Sequence, residues 1–372
     1  MAENSTSPPD LSIVMCTYDR IAMMRDALES LVRQQTEDRF SFEVVVVHAG
    51  KEGSRETIEE IARRAAVPVR AIHVKTPGQV AARNAGLAAA RGAWIANWDD
   101  DQIADSRWLV ELWNLAHEKN SPSVGGSLEL KLQGECPLHL TPLMRRMLGA
   151  TVPWDSPQPY TRQEGPGSGN QLLRRDVFER VGMWSESFTL RGYDTDLYRR
   201  IRAAGIESWF TPTAKGWHVI PAERLTEEFF RETALHNGWS FARRDMLERG
   251  RAVVMVFAVA RLIKAALNCG RGTVRSWFGS KKPTTLDGRI YCWRAQGYLR
   301  SVLYWTSPRL FPQRGFFARY EFRPEEKFRA RLEEPRRGGG GEAAVGGSAP
   351  AGAMPEDGSA EQTQKRSAQY QP

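Results

Sequence analysis

A short apolar run, Trp94 to Trp98, ends directly in three consecutive aspartates, Asp99-Asp100-Asp101. Three adjacent carboxylates repel one another, so a chain that sets them at the end of a buried strand needs something positive among them. Similar apolar runs come earlier, at Leu11 to Cys16, Glu43 to Val47 and Ala71 to Val74. Helical patterns lie between them. Met23, Met24, Ala27, Leu28, Leu31 and Val32 recur at helical spacing, a polar helix spans about Ser54 to Ala65, and Gln79 to Arg91 is alanine-rich. Gly92 is expected to cap that last helix. Strands alternating with helices of this length predict a doubly wound, mostly parallel α/β sheet. Ligands of such sheets bind beyond the carboxyl ends of the strands. The residues to read are therefore Thr17-Tyr18-Asp19-Arg20, His48-Ala49-Gly50, Thr76-Pro77-Gly78 and the aspartate triplet.

The chain has 372 residues, 41% hydrophobic and 26% charged, which fits a soluble globular protein and neither a membrane bundle nor a wholly disordered chain. Its formal charge of +8 is unevenly placed. Pro221 to Arg331 carries 22 Lys and Arg against 10 Asp and Glu, so the basic excess belongs to the C-terminal third. The expected division is a disordered leader at 1–10, an α/β domain at 11–222, a basic helical extension at 223–332 and a disordered tail at 333–372. Within the α/β domain, a first half at 11–101 and a second at 102–222 are expected. The segment Lys131 to Gly169, rich in Pro, Gly and aromatics, reads as a long functional loop region. Cys16, Cys136, Cys269 and Cys292 show no zinc-site spacing, and a reduced compartment is the simplest expectation. The start, MAENSTSPPD, has neither the basic flank nor the apolar stretch of a signal peptide. No apolar stretch reaches the length of a spanning helix.

Mg²⁺ or Mn²⁺ with a bound diphosphate would satisfy the triplet, since hard cations prefer carboxylate and phosphate oxygens. By strand alternation Asp99 and Asp101 face one side and Asp100 the other. The alternative is a solvated acidic turn capping the next helix. Leu11 to Arg20, Val44 to Gly50, Ala82-Arg83-Asn84-Ala85-Gly86, Gly92 to Ile95 and Trp98 to Asp101 together resemble the nucleotide-binding half of family 2 glycosyltransferases. Gly167 to Asn170, Arg174 to Phe178, Val181 to Trp184 and Gly192 to Leu197 resemble the acceptor half. The likeness covers roughly Leu11 to Pro221. It implies a GT-A fold, a nucleotide-sugar donor, a divalent metal on the diphosphate, and transfer to an acceptor hydroxyl with inversion.

That resemblance assigns roles residue by residue. Thr17 and Tyr18, with Asp19 and Arg20 in the same loop, match positions that hold the nucleoside. Arg83 matches an arginine near the base and diphosphate, and Asp99 and Asp100 join the nucleotide-sugar site. Asp99 and Asp101 match metal ligands. A late histidine, His218, either completes the metal shell or is a hydrogen-bonded core residue. His48 stands where the family usually carries Asp, and it can accept from a base only through an unprotonated ring nitrogen. UDP is the expected nucleotide, with dTDP and GDP open. Asp194 matches the catalytic base, its basicity expected from burial and from the field of Asp196. A plain helix N-cap is the alternative for Asp194. Gly169, Asn170, Tyr193 and Asp196 are the expected acceptor residues, Tyr193 replacing the family's usual Glu.

The basic third includes Arg251 to Asn268, a broad apolar helix interrupted by Arg261 and Lys264, with Trp277, Trp293 and Trp305 around it. Such a surface suits an anionic membrane interface and a lipid-linked acceptor, or else packs on the catalytic domain. A cytoplasmic protein, peripheral on the inner face of the membrane, is the corresponding expectation. Nucleic-acid binding would explain the charge but not the aspartates. A sugar-nucleotide pyrophosphorylase would need a Gly-rich basic loop where Thr17 to Arg20 stands. A non-catalytic glycan-binding relative would be favoured had Asp99, Asp101 or Asp194 been lost. A redox Rossmann enzyme lacks its glycine fingerprint after the first strand.

Overall fold

A computed structural model describes residues 7–312, apart from 19, 50–51, 76–77, 187–191 and 278–283, and apart from the side chains of 52, 247–248, 268–277 and 284–285. The expected tail at 333–372 lies outside the described residues, as do Asp19, Gly50, Thr76 and Pro77.

The expected alternation is present. Strand β1 (Leu11–Thr17) leads to α1 (Ile21–Val32), β2 (Phe42–His48), α2 (Glu52–Arg64), β3 (Val69–His73), α3 (Gln79–Ala89) and β4 (Trp94–Asp99). After them come β5 (Gln102–Ala104), α4 (Trp108–Glu118), β6 (Ser123–Leu132), α5 (Pro142–Met147), β7 (Gln158–Pro159), β8 (Asn170–Arg174), α6 (Arg175–Val181), α7 (Tyr193–Ala203) and β9 (Trp209–Ile220). They form one nine-stranded sheet in the order β3-β2-β1-β4-β8-β6-β9-β5, with β7 on β9. Strands β1 to β4, β6 and β9 run one way, and β5, β7 and β8 the other.

Both sheet faces are covered, which is why β1 and β2 read as unbroken apolar runs. Leu11, Ile13 and Met15 join Val44 and Val46 beneath α1 and α4, while Val14 packs on the opposite face with Val80 and Leu87 of α3. The edge strand β3 is only partly buried, so its apolar signal is weak and its start lies two residues before the expected Ala71. Asp10, assigned to a disordered leader, is instead tied down: its carboxylate accepts from the Ser41 N–H at 2.8 Å and its carbonyl from the Trp94 N–H at 3.0 Å. Gly92 does not cap α3, which ends at Ala89 with Ala90 as its cap. Gly92 is required for another reason, because a Cβ there would lie 2.5 Å from the Leu11 backbone.

Beyond a 3-10 turn at Ala222–Arg224, the basic extension folds as three long helices, α8 (Glu227–Arg249), α9 (Arg251–Trp277) and α10 (Thr284–Thr306). Helices α8 and α10 approach at backbone distance, since a Cβ on Gly238 would meet the Arg294 carbonyl oxygen and one on Gly297 the Leu235 carbonyl oxygen, both near 2 Å. Phe230 and Ala234 of α8 and Ile290 of α10 bury against Met144, Leu148, Ile220 and Leu225. The extension therefore packs on the α/β domain. Cys16 and Cys136 are free thiols. No helix among the described residues is long and apolar enough to cross a membrane.

Candidate functional site

The carboxyl ends of β1, β2 and β4 lie side by side, with Thr17 in register with His48 and Cys16 with Asp99. Above them opens a cavity of about 690 Å³, lined by Thr17, Tyr18, Arg20, Ala49, Arg83, the three aspartates, Tyr193 to Asp196 and His218, and closed on one side by α8. That volume falls in the range of small-molecule sites.

The triplet is held as a turn. The Trp98 indole donates to the Gln102 carbonyl at 3.0 Å, and Gly216 leaves the room that Trp98 needs. Strand β4 ends at Asp99, so alternation stops there and all three carboxylates line the cavity; Asp100 does not turn away. Every carboxylate of the triplet meets a cation. Asp99 pairs with Arg83, whose buried guanidinium also donates to the Ser168 carbonyl at 3.3 Å and lies 5.5 Å over the Tyr193 ring. Burial opposes the Arg83 charge, but the Asp99 carboxylate outweighs it and keeps Arg83 firmly protonated. Arg20 bridges Asp100 at 2.5 Å and Asp101 at 2.8 Å. Burial pushes the Asp100 carboxyl up to about 6, against the pull of Arg20. Burial also acts to raise Asp101, yet His218, Arg20 and Arg224 together hold it well below the usual carboxylate range. Thr17 Oγ1 and Asp100 Oδ2 are both buried, and the Thr17 hydroxyl helps Arg20 to oppose the effect of burial on the Asp100 carboxyl.

His218 is fixed from behind. Its Nδ1 bonds the Leu148 carbonyl at 2.7 Å, and its Nε2 lies 3.3 Å from Asp101 Oδ2. The Val219 N–H donates to the Asp101 carbonyl at 2.8 Å, so β9 and the triplet are locked together. An Nδ1 that donates to a carbonyl leaves Nε2 to face the carboxylate, and between two such electron-rich atoms belongs a proton or a metal ion. Among the described residues no group of three or more His, Cys, Asp or Glu that could hold a metal ion is gathered. The expected set of Asp99, Asp101 and His218 is thus divided: Asp101 and His218 meet, while Asp99 is turned to Arg83. Two protein donors are nonetheless enough where a diphosphate supplies further oxygens.

Asp194 lies in the first turn of α7, behind a left-handed Gly192 that is the actual cap position. Its Oδ1 accepts from the Thr195 N–H at 2.7 Å. Burial raises its carboxyl above the ordinary value, opposed by the Thr195 N–H and Arg83 and helped by Asp99. Asp196 is not the source of that field, because Arg200 neutralises it at 2.9 Å. Tyr193 is buried and its hydroxyl donates to Gln79 at 3.3 Å.

Three expected site residues, Asn170, Gly169 and His48, do not line the cavity. Asn170 does not face the cavity; its Oδ1 accepts from the Trp108 indole at 2.7 Å and its Nδ2 donates to the Ser127 carbonyl at 3.0 Å. Gly169 serves by being small, since a Cβ there would overlap Asp99 Oδ2. His48 is buried at the end of β2 against His73, with ring centroids 5.1 Å apart, and Ala49 rather than His48 lines the cavity. Burial first, then His73 and Arg55, lowers the His48 pKa and keeps the ring neutral, the state that can accept a hydrogen bond. Arg199, Arg224, Asn237, Ser240, Phe241, Arg243 and Arg244 also line the cavity and were not anticipated from sequence. The basic excess of the C-terminal third was the available signal.

Residues 12–182 match the family described as Glycosyl transferase family 2. They are a family 2 glycosyltransferase domain. The uncharacterized glycosyltransferase EpsJ of Bacillus subtilis (strain 168) is 32% identical over 118 residues, 32% of this chain and 33% of that protein. The cholesterol galactosyltransferase of Borreliella burgdorferi is 27% identical over 115 residues, 31% of each chain. The chain thus spans about a third of the length of these relatives. The uncharacterized glycosyltransferase YwdF of Bacillus subtilis (strain 168) is matched over more of its length, at 25% identity across 53% of this chain and 72% of that protein. Among solved structures, the mannosyltransferase PcManGT from Pyrobaculum calidifontis, in complex with GDP-Man and Mn²⁺, superposes with a TM-score of 0.54 at 14% identity, covering 81% of this chain and 89% of that one. Over the superposed part the two chains share a GT-A-like α/β fold, to which this chain adds its helical C-terminal part.

Proposed function

We propose that this protein transfers a sugar from a nucleotide diphosphate donor to an acceptor hydroxyl, with inversion at the anomeric carbon. The observation that carries the reading is a single cavity holding the cation-bridged aspartate triplet on one side and the raised carboxyl of Asp194 on another. Thr17 and Tyr18 would hold the nucleoside, with Ala49 beside it at the end of β2. Arg20, Arg83 and Arg224 are placed to offset the charge of the diphosphate. UDP remains the first nucleotide to test; the structural neighbour was solved with GDP-Man, so GDP stands beside it.

Asp101 and His218 would hold a divalent ion, Mn²⁺ suiting an imidazole better than Mg²⁺, with Asp99 nearby. When bound, the ion would neutralise the charge that develops on the departing diphosphate. Asp194 removes the proton of the acceptor hydroxyl as that oxygen attacks the anomeric carbon. The bond to the diphosphate breaks on the opposite face. Burial makes Asp194 a better base than a free aspartate. Tyr193, held by Arg83 and Gln79, fixes the start of α7 and hence the base.

The exposed apolar face of α9, including Val256, Val259, Ile263 and Leu267, supports peripheral attachment to an anionic membrane, with a lipid-linked acceptor. Vesicle co-sedimentation that is stronger with anionic lipid and weakens with salt is expected; no binding at low salt would remove this part of the reading. For the transfer itself, screening UDP-, dTDP- and GDP-sugars for Mn²⁺-dependent donor hydrolysis is the test. Hydrolysis of one donor class is expected, and no hydrolysis or binding of any would overturn the assignment.

A further inference from the structure

Helix α8 lies beyond residues 12–182, and one of its faces forms a wall of the cavity. Leu235, Trp239, Ala242 and Met246 make its buried side, clustered with Tyr298 and Val302 of α10. Asn237, Ser240, Phe241 and Arg244 recur at helical spacing and line the cavity. Phe229, about two turns before Asn237, lines it as well. The start of this wall is held in place. Thr226 caps the helix by accepting from the Phe229 N–H at 3.3 Å, and Phe230 and Ala234 bury against Met144 and Leu148.

The hydrogen-bonding capacity left on this wall is neutral. Arg243 and Arg244 have partners of their own, Arg244 with Asp245 at 3.5 Å and over the Phe241 ring at 5.2 Å. The Asn237 amide and the Ser240 hydroxyl have no hydrogen-bond partner among the described residues. An amide and a hydroxyl each donate and accept. A phosphate or carboxylate can use only the donors, whereas a sugar hydroxyl uses both. Phe229 sets an aromatic ring beside these two polar groups, the mixture of apolar surface and few polar atoms that binds small molecules. The donor reading draws on Thr17, Tyr18, Ala49 and Arg83 at the strand ends and leaves this wall unassigned. Asp194 lines the same cavity.

We infer that α8 supplies the acceptor subsite and that the attacking hydroxyl is carried on a neutral sugar ring, bound by Asn237 and Ser240 with Phe229 against its apolar face. The oxygen of that hydroxyl forms its bond to the anomeric carbon as the bond to the diphosphate breaks, and its proton passes to Asp194. The inference rests on the donor reading, because it takes the strand-end side of the cavity as the place of the nucleotide.

The methyl glycosides of glucose, galactose, mannose and N-acetylglucosamine serve as probes, with glycerol as a polyol that has no ring. Each is titrated by ligand-observed NMR into the full chain saturated with Mn²⁺ and the tightest-binding nucleoside diphosphate. At least one glycoside should bind without displacing the nucleotide, and glycerol should bind much more weakly. N237A and S240A should each weaken that glycoside by roughly three- to tenfold, the scale of one neutral hydrogen bond, while nucleotide affinity stays within about twofold. A thermal melt of each variant checks folding. No binding by any of the glycosides, equal binding of glycerol, displacement of the nucleotide, or an unchanged affinity in both variants would each overturn the inference and leave the donor reading standing. Failure of the wild type to bind any nucleoside diphosphate would overturn the donor reading itself, and this inference with it.

Discussion

Gly149 offers a test of how the imidazole of His218 is held. Its backbone sits at φ 96°, and a Cβ there would lie 2.7 Å from His218 Nδ1. Gly149→Ala therefore incurs two costs. The left-handed backbone costs an L-residue about 1–2 kcal/mol. The methyl group also forces the ring away from the Leu148 carbonyl, losing a hydrogen bond worth about 1 kcal/mol. The expected destabilisation is about 2–3 kcal/mol. Gly205 provides the control, with φ 73° and nothing within 4 Å of an added Cβ, so Gly205→Ala carries the backbone cost alone. Urea denaturation should separate the two variants by about 1 kcal/mol. Function should separate them further. Disturbing the group that orients a metal-binding imidazole typically lowers metal affinity by about 10- to 100-fold. Mn²⁺ titration in the presence of nucleoside diphosphate should show that loss in Gly149→Ala and not in Gly205→Ala. Equal stability and equal Mn²⁺ affinity in the two variants would refute the reasoning.

Ser12 tests the other end of the sheet: its hydroxyl donates to Glu43 at 2.7 Å and accepts from the Arg91 and Gly92 N–H groups at 3.0 and 2.8 Å. Ser12→Ala should cost roughly 2–3 kcal/mol, since the Gly92 N–H loses its acceptor, while nucleotide affinity stays unchanged; an unaltered urea midpoint would contradict this. The raised carboxyl of Asp194 sets a pH dependence. Turnover needs the ionised form, so it should fall as pH drops through that raised pKa, at higher pH than for a free aspartate near 3.9, and a rate that stays flat down to about pH 4 would argue against Asp194 as base.

Much of this was legible in the sequence because β1, β2 and β4 are covered on both faces, which writes them as plain apolar runs with polar residues at their ends. Arg20 and the aspartates follow two of those runs, and Arg83 of α3, Asp194 of α7 and His218 of β9 meet them in one cavity. Less legible were features decided by contacts between distant segments. Asp100 joins the site because the strand stops at Asp99 and periodicity no longer applies. Asn170 follows a glycine-rich turn like a binding residue, but Trp108, 62 positions earlier, claims its side chain. The α8 residues gave no periodic signal of their own, since that helix buries one part against α10 and turns Arg243 and Arg244 toward a cavity whose floor is built far upstream.

Donor binding and turnover, measured together for Asp194→Asn and Asp101→Ala, test the central claim most directly. Asn keeps an oxygen for the Thr195 N–H, so Asp194→Asn should fold and bind the nucleotide sugar as the wild type does. Its turnover should fall by about 10²- to 10⁴-fold, equivalent to about 2.7–5.4 kcal/mol of barrier. Asp101→Ala should lose Mn²⁺-dependent donor affinity and turnover together, because the same carboxylate would hold the ion that binds the diphosphate. Near wild-type turnover in Asp194→Asn, or undiminished Mn²⁺-dependent donor binding in Asp101→Ala, would contradict the account.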